Sequence, residues 1–94
     1  MKYIIGGAYR FFGKYSKYDV DKFLTDYANF SISVSDKLDV GSEDYYNVFV
    51  DIDTIEELYN FVEVSKFPIM FGEDPIEYQG KKYPTLILLE GYMD

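Results

Sequence analysis

Asp19-Val20-Asp21-Lys22-Phe23-Leu24-Thr25-Asp26-Tyr27-Ala28-Asn29-Phe30-Ser31-Ile32-Ser33-Val34-Ser35 holds two periodicities in succession, and the change from one to the other decides the fold. Val20, Phe23, Leu24, Tyr27 and Ala28 are spaced i, i+3, i+4, i+7 and i+8, which puts them on one face of an amphipathic helix. From Phe30 the spacing alternates strictly, so Phe30, Ile32 and Val34 face a core while three serines face outward. Asp19 is expected as the N-cap, Asp21 complements the dipole in the first turn, and Asn29 ends the helix in the left-handed conformation.

Working outward toward the C-terminus, Asp36 to Asp44 reads as an exposed acidic loop, and Tyr45 to Ile52 as a second strand with Tyr46, Val48, Val50 and Ile52 on one side. Asp53 is expected to cap a second helix over about residues 54 to 65, with Glu56 reaching back as in a capping box. Ile55, Leu58, Phe61 and Val62 form its buried stripe, and Lys66 and Pro68 mark its end. Phe67 to Phe71 and Thr85 to Leu89 are nearly continuous apolar runs, as in strands covered on both faces. Gly72-Glu73-Asp74-Pro75 is a turn, and Gln79-Gly80 turns a smaller hairpin that joins Ile76–Tyr78 to Lys81–Tyr83.

Toward the N-terminus, Lys2 to Phe12 is extended, and Gly6-Gly7 marks either a tight hairpin or a bulge in one long bent strand. Two helices separated by a strand pair and flanked by strands predict an α+β domain. The sheet would be largely antiparallel, of about five strands, with both helices on one face. The expected topology is a ferredoxin-like βαββαβ core with one added strand. At 94 residues the chain is expected to be a single domain spanning 1–94.

Almost half the residues are apolar and 20 % are aromatic, which excludes a disordered chain. Without cysteine there is no disulfide framework and no thiolate chemistry, and the common zinc sites are excluded. The first residues are too short an apolar run for a signal peptide, and Leu86–Leu89 falls far short of a bilayer span. Residues 1 to 37 hold six cations and four acids, whereas residues 38 to 94 hold three and thirteen, so a local balance of −10 sits within the net −8. Such a field repels nucleic acid and anionic lipid and favours basic partners. Neither direct nucleic-acid binding nor membrane binding is expected.

The absence of histidine and cysteine removes the usual general bases and nucleophile triads, so no enzyme activity, catalytic residue, metal or cofactor is expected. Close carboxylate pairs are inevitable by chance among seventeen acids and do not argue for a glycosidase-like site. Gly7-Ala8-Tyr9-Arg10-Phe11-Phe12-Gly13-Lys14 departs from a phosphate-binding loop. Its glycines stand one residue too far apart, and Tyr15 occupies the hydroxyl position. Asp36–Gly41 and Asp51–Asp53 fail the calcium-loop spacing.

Eleven tyrosines are the informative excess, since tyrosine offers a large rigid contact with a polar tip. Tyr3, Tyr27 and Tyr46 are read as half-buried, while Tyr45, Tyr78, Tyr83 and Tyr92, beside acids or turns, are candidates for contact. In size, acidity and tyrosine content the chain resembles short proteins of bacteriophages and mobile elements, including DNA mimics, anti-CRISPR proteins and other anti-defence inhibitors. That resemblance implies an inhibitor in the cytoplasm of a bacterial host, occupying the basic nucleic-acid-binding surface of a defence or nucleic-acid enzyme. The expected partner is a basic protein, met by Asp36, Asp39, Glu43, Asp44, Tyr45, Glu73, Asp74, Glu77 and Tyr78. An immunity protein or antitoxin, and a structural protein that oligomerises through its sheet, are the alternatives. A homodimer is expected because two helices cover only one face of the sheet, unless Lys2–Phe12 folds across the other.

Overall fold

The computed structural model describes residues 1–7, 13–38, 44–66 and 68–89. The elements among these are β1 (Lys2–Gly7), α1 (Lys17–Asp26), β2 (Ser31–Val34), β3 (Val48–Asp51), α2 (Ile55–Ser65), β4 (Ile69–Phe71), β5 (Ile76–Tyr78), β6 (Lys81–Tyr83) and β7 (Thr85–Leu88). They form an α+β structure with a five-stranded sheet in the order β2-β3-β1-β7-β4 and a separate β5–β6 hairpin.

The sheet is mixed. β1 with β3, β2 with β3 and β4 with β7 run antiparallel, but the central β1–β7 pair is parallel. The strand that follows α2, β4, lies at the edge, and the last strand, β7, sits between it and β1. Thr85-Leu86-Ile87-Leu88 is the run best suited to a position with neighbours on both sides, and only one of its four residues is more than marginally exposed. By contrast β4 is an edge strand with Met70 and Phe71 about half exposed, not a strand covered on both faces. Phe67, at the start of that apolar run, lies outside the described residues.

Gly6 and Gly7 make neither a hairpin nor a bulge. They continue β1 in unbroken register, opposite Ile87 and Leu88. The glycine that the fold requires is Gly13, whose φ is +71° and where a Cβ would stand 2.8 Å from the Ile5 carbonyl oxygen.

Both helices begin at residues other than those expected. α1 starts three residues earlier, capped by Ser16, whose hydroxyl accepts from the Asp19 amide at 3.2 Å and donates to the Asp19 carboxylate at 3.1 Å. Asp19 is thus a first-turn acid and not the cap. The helix ends at Tyr27, before Asn29, and Leu24 and Ala28 are exposed, so its buried stripe narrows to Val20, Phe23 and Tyr27. On the outer side Lys17 meets Asp21 at 2.7 Å, a hydrogen bond that raises the lysine pKa above its ordinary value. α2 is capped by Thr54 rather than Asp53. The Thr54 hydroxyl accepts from the Glu57 amide at 3.1 Å, and Glu57 in turn accepts from the Asp53 amide. Ile55 is correspondingly 70 % exposed, and Ser65 joins Phe61 in the buried face.

Strand register assigns the two faces of the sheet. Tyr3, Ile5, Val48, Val50, Leu86 and Leu88 share the face that both helices cover, and Phe30, Ile32 and Val34 extend it as expected. Its centre is aromatic. Phe61 of α2 is fully buried, stacked at 5.0 Å on Tyr27 and edge-on at 5.3 Å to Phe30, and Tyr27 stacks at 4.2 Å on Phe23. Each such pair contributes about 0.5–1.5 kcal/mol beyond its buried area.

The opposite face carries Ile4, Phe49, Thr85 and Ile87. It is not left bare, because the β5–β6 hairpin folds over it and brings Tyr78 and Tyr83 to 5.6 and 5.1 Å from the Phe49 ring. Lys2–Gly7 is the central strand of the sheet and not a cover for it, while residues 8–12 lie outside the described residues.

Candidate functional site

The β5–β6 hairpin is positioned by its own turn. Gln79 and Gly80 both have positive φ, 52° and 76°, the combination that joins two strands with the native twist. Pairing Ile76 with Tyr83 and Tyr78 with Lys81 puts these four on the side toward the sheet, leaving Glu77 and Lys82 opposite each other on the outer side.

At the closed end of this hairpin the Tyr78 hydroxyl accepts a hydrogen bond from the Asp36 backbone amide at 3.0 Å. Two of the acidic segments selected from the sequence, 42 residues apart at this bond, are thereby fastened into one surface. The 36–45 segment is itself closed at its base, where the Leu38 amide donates to the Tyr45 carbonyl at 2.7 Å. Asp36, Asp44 and Glu77 are exposed here, and Tyr45 and Tyr78 are half-buried. The charge is mixed: Lys37 lies 3.5 Å from Asp44, and Lys82 stands across from Glu77. Asp39, Glu43 and Tyr92 lie outside the described residues.

Glu73 and Asp74 belong to the other end of the hairpin, roughly 10 Å away at about 3.3 Å per strand residue. There the Asp74 carbonyl accepts from the Thr85 hydroxyl at 3.2 Å, and both residues border a cleft of about 350 Å³ over Gly6, Thr85 and Ile87. Of the seven described residues among the nine selected, Glu73 and Asp74 therefore stand at the opposite end of the hairpin from the other five.

Sequence reasoning missed the two most exposed tyrosines among the described residues. Tyr18 on α1 is 75 % exposed and Tyr59 on α2 is 70 % exposed, beside the equally exposed Ile55 one turn earlier. Helical phase could have found Tyr59, since it falls outside the stripe of Leu58, Phe61 and Val62. Among the described residues no three Asp, Glu, His or Cys converge as metal ligands, and no helix is long and apolar enough to cross a membrane. No family model, curated protein or solved structure matches the chain.

Proposed function

We propose that the chain is a protein-binding module, not an enzyme, that docks through the junction of its 36–45 segment with the β5–β6 hairpin onto a basic surface of its partner. The observation that carries this reading is the Tyr78–Asp36 hydrogen bond, which fastens a half-buried aromatic ring to the segment that carries the exposed Asp36 and Asp44. A ring that can be desolvated gives an anchor, and surrounding charge steers encounter. The net charge of −8 directs that steering toward basic partners. The surface so reached is of the kind that takes nucleic acid, in keeping with an anti-defence inhibitor acting inside a bacterial host. In fold, β1 to β4 are read as a ferredoxin-like core into which β7 is inserted beside β1; the β2-β3-β1 order supports this.

The test is affinity capture from host extract with the wild-type chain and with a variant carrying Asp36→Asn, Asp44→Asn and Tyr78→Ala. The expected result is a basic protein retained by the wild type, eluted by salt and lost with the variant. Retention of the same protein at wild-type strength by the variant, or capture of an acidic one, would overturn the reading.

One observation favours an assembly role as a second reading. Phe30 to Ser35 contains no charged residue, yet β2 is an edge strand, and edge strands are ordinarily protected by charge, proline or a bulge.

A further inference from the structure

A second cleft, of about 520 Å³, opens between the start of β1, the 72–75 turn and β6. Its lining holds Lys2, Lys81 and Lys82 together with the apolar surfaces of Pro75, Tyr83 and Pro84. In a chain with only nine cations and a net charge of −8, three lysines at one cleft are a local concentration of positive charge. None of the three makes an ion pair among the described residues. Two of them are instead held against rings, Lys2 Nζ at 5.7 Å from the Phe49 centroid and Lys81 Nζ at 5.5 Å from the Tyr83 centroid. Such contacts orient an ammonium without neutralising it.

Carboxylates also stand nearby, including Asp53 paired with the Met1 amino terminus and Asp74 between the lining residues Glu73 and Pro75. Glu73 also lines the cleft, Asp51 faces Lys2 across the β1–β3 register, and Glu77 faces Lys82 across the hairpin. The lining itself carries three positive groups against one negative among side chains. Its volume is that of a small-molecule site, since such pockets run from about 300 to 1,000 Å³. An extended polyanion would leave the cleft and meet the negative field of the rest of the molecule.

We propose that this cleft binds a small organic anion, with a phosphate or carboxylate group between Lys2 and Lys81 and an apolar or aromatic body against Pro75, Tyr83 and Pro84. The proposal does not depend on the docking reading, although Lys81 and Lys82, paired with Tyr78 and Glu77, border both surfaces.

Amide chemical-shift titration of the full chain tests it, with phenyl phosphate, benzoate, inorganic phosphate and neutral phenol as probes. Phenyl phosphate or benzoate is expected to saturate below about 10 mM, with shifts centred on residues 2, 73–75 and 81–84. The phenyl anion should bind more tightly than inorganic phosphate, and phenol should not saturate. Stronger phenyl phosphate than benzoate identifies a phosphate ligand, and the reverse a carboxylate. Lys2→Gln and Lys81→Gln combined should weaken binding by roughly tenfold or more, and Lys82→Gln alone by less. Thermal unfolding should fall by only a few degrees, since these side chains form no ion pair among the described residues and lose only their exposed ring contacts. Absence of saturation by either phenyl anion, equal affinity of the double variant, or shifts centred elsewhere would overturn the proposal.

Discussion

Asn47 is a buried amide that ties three parts of the chain together. Its Nδ2 donates to the Gly13 carbonyl at 3.1 Å, its backbone amide donates to the Ser35 hydroxyl at 2.8 Å, and its carbonyl accepts from the Ser35 amide at 3.0 Å. Replacing it by leucine leaves the buried Gly13 carbonyl without that donor, a loss of about 1–3 kcal/mol. The expected result is a lower urea midpoint at unchanged m value. Gly13→Ala should cost more than about 2 kcal/mol, because the left-handed backbone penalises any Cβ and this one also overlaps the Ile5 carbonyl oxygen. Tyr78→Phe removes a single oxygen atom. It should lower stability by only about 0.5–1.5 kcal/mol yet accelerate hydrogen exchange at the Asp36 amide, the group it leaves unbonded. An unchanged exchange rate at Asp36 would show that the hydroxyl does not hold the two segments together.

Among the elements, the β5–β6 hairpin does the most to define the molecule's surfaces, and it was legible in the sequence because Gln79-Gly80 between short strand-like runs is a local signal. Asparagine adopts positive φ more readily than glutamine, so Gln79→Asn should raise the melting temperature by several degrees if it contributes about 0.5–1 kcal/mol. The helices were legible as well, by the period of Val20, Phe23 and Tyr27 and of Leu58 and Phe61. Their caps were not, because Ser16 competes with Asp19 and Thr54 with Asp53, and all four are good cap residues whose ranking propensity does not resolve. Ser16→Ala and Thr54→Ala should each cost about 1 kcal/mol in thermal unfolding, whereas Asp53→Ala should not reproduce the Thr54 loss. Strand order was illegible for a different reason. Apolar runs identify β4 and β7 as strands, but the choice of β7 as the partner of β1 is a long-range pairing that no local pattern encodes. The Tyr78–Asp36 bond lay beyond reach in the same way, so the sequence offered two acidic segments and the fold joins only part of them.

For the whole molecule, the hairpin changes the reason to expect self-association. A bare apolar sheet face no longer demands a partner, since Tyr78 and Tyr83 pack on Phe49, and the uncharged edges β2 and β4 are what remain. If two copies pair along β2, sedimentation at about 50 µM should give a dimer, and Ser31→Lys with Ser33→Lys should return it to a monomer of unchanged thermal stability. A single wild-type species near 11.0 kDa would reject pairing through this edge. The proposed docking of a basic partner would use a different surface, the closed end of the hairpin with its steering charge, and salt should weaken it chiefly through the association rate. Hydrogen exchange on the free chain and on its complex with the captured basic protein tests this most directly. Protection is expected at residues 36–38, 44–46 and 76–82; protection confined to the outer faces of α1 and α2 around Tyr18 and Tyr59, with the hairpin exchanging as in the free chain, would contradict it.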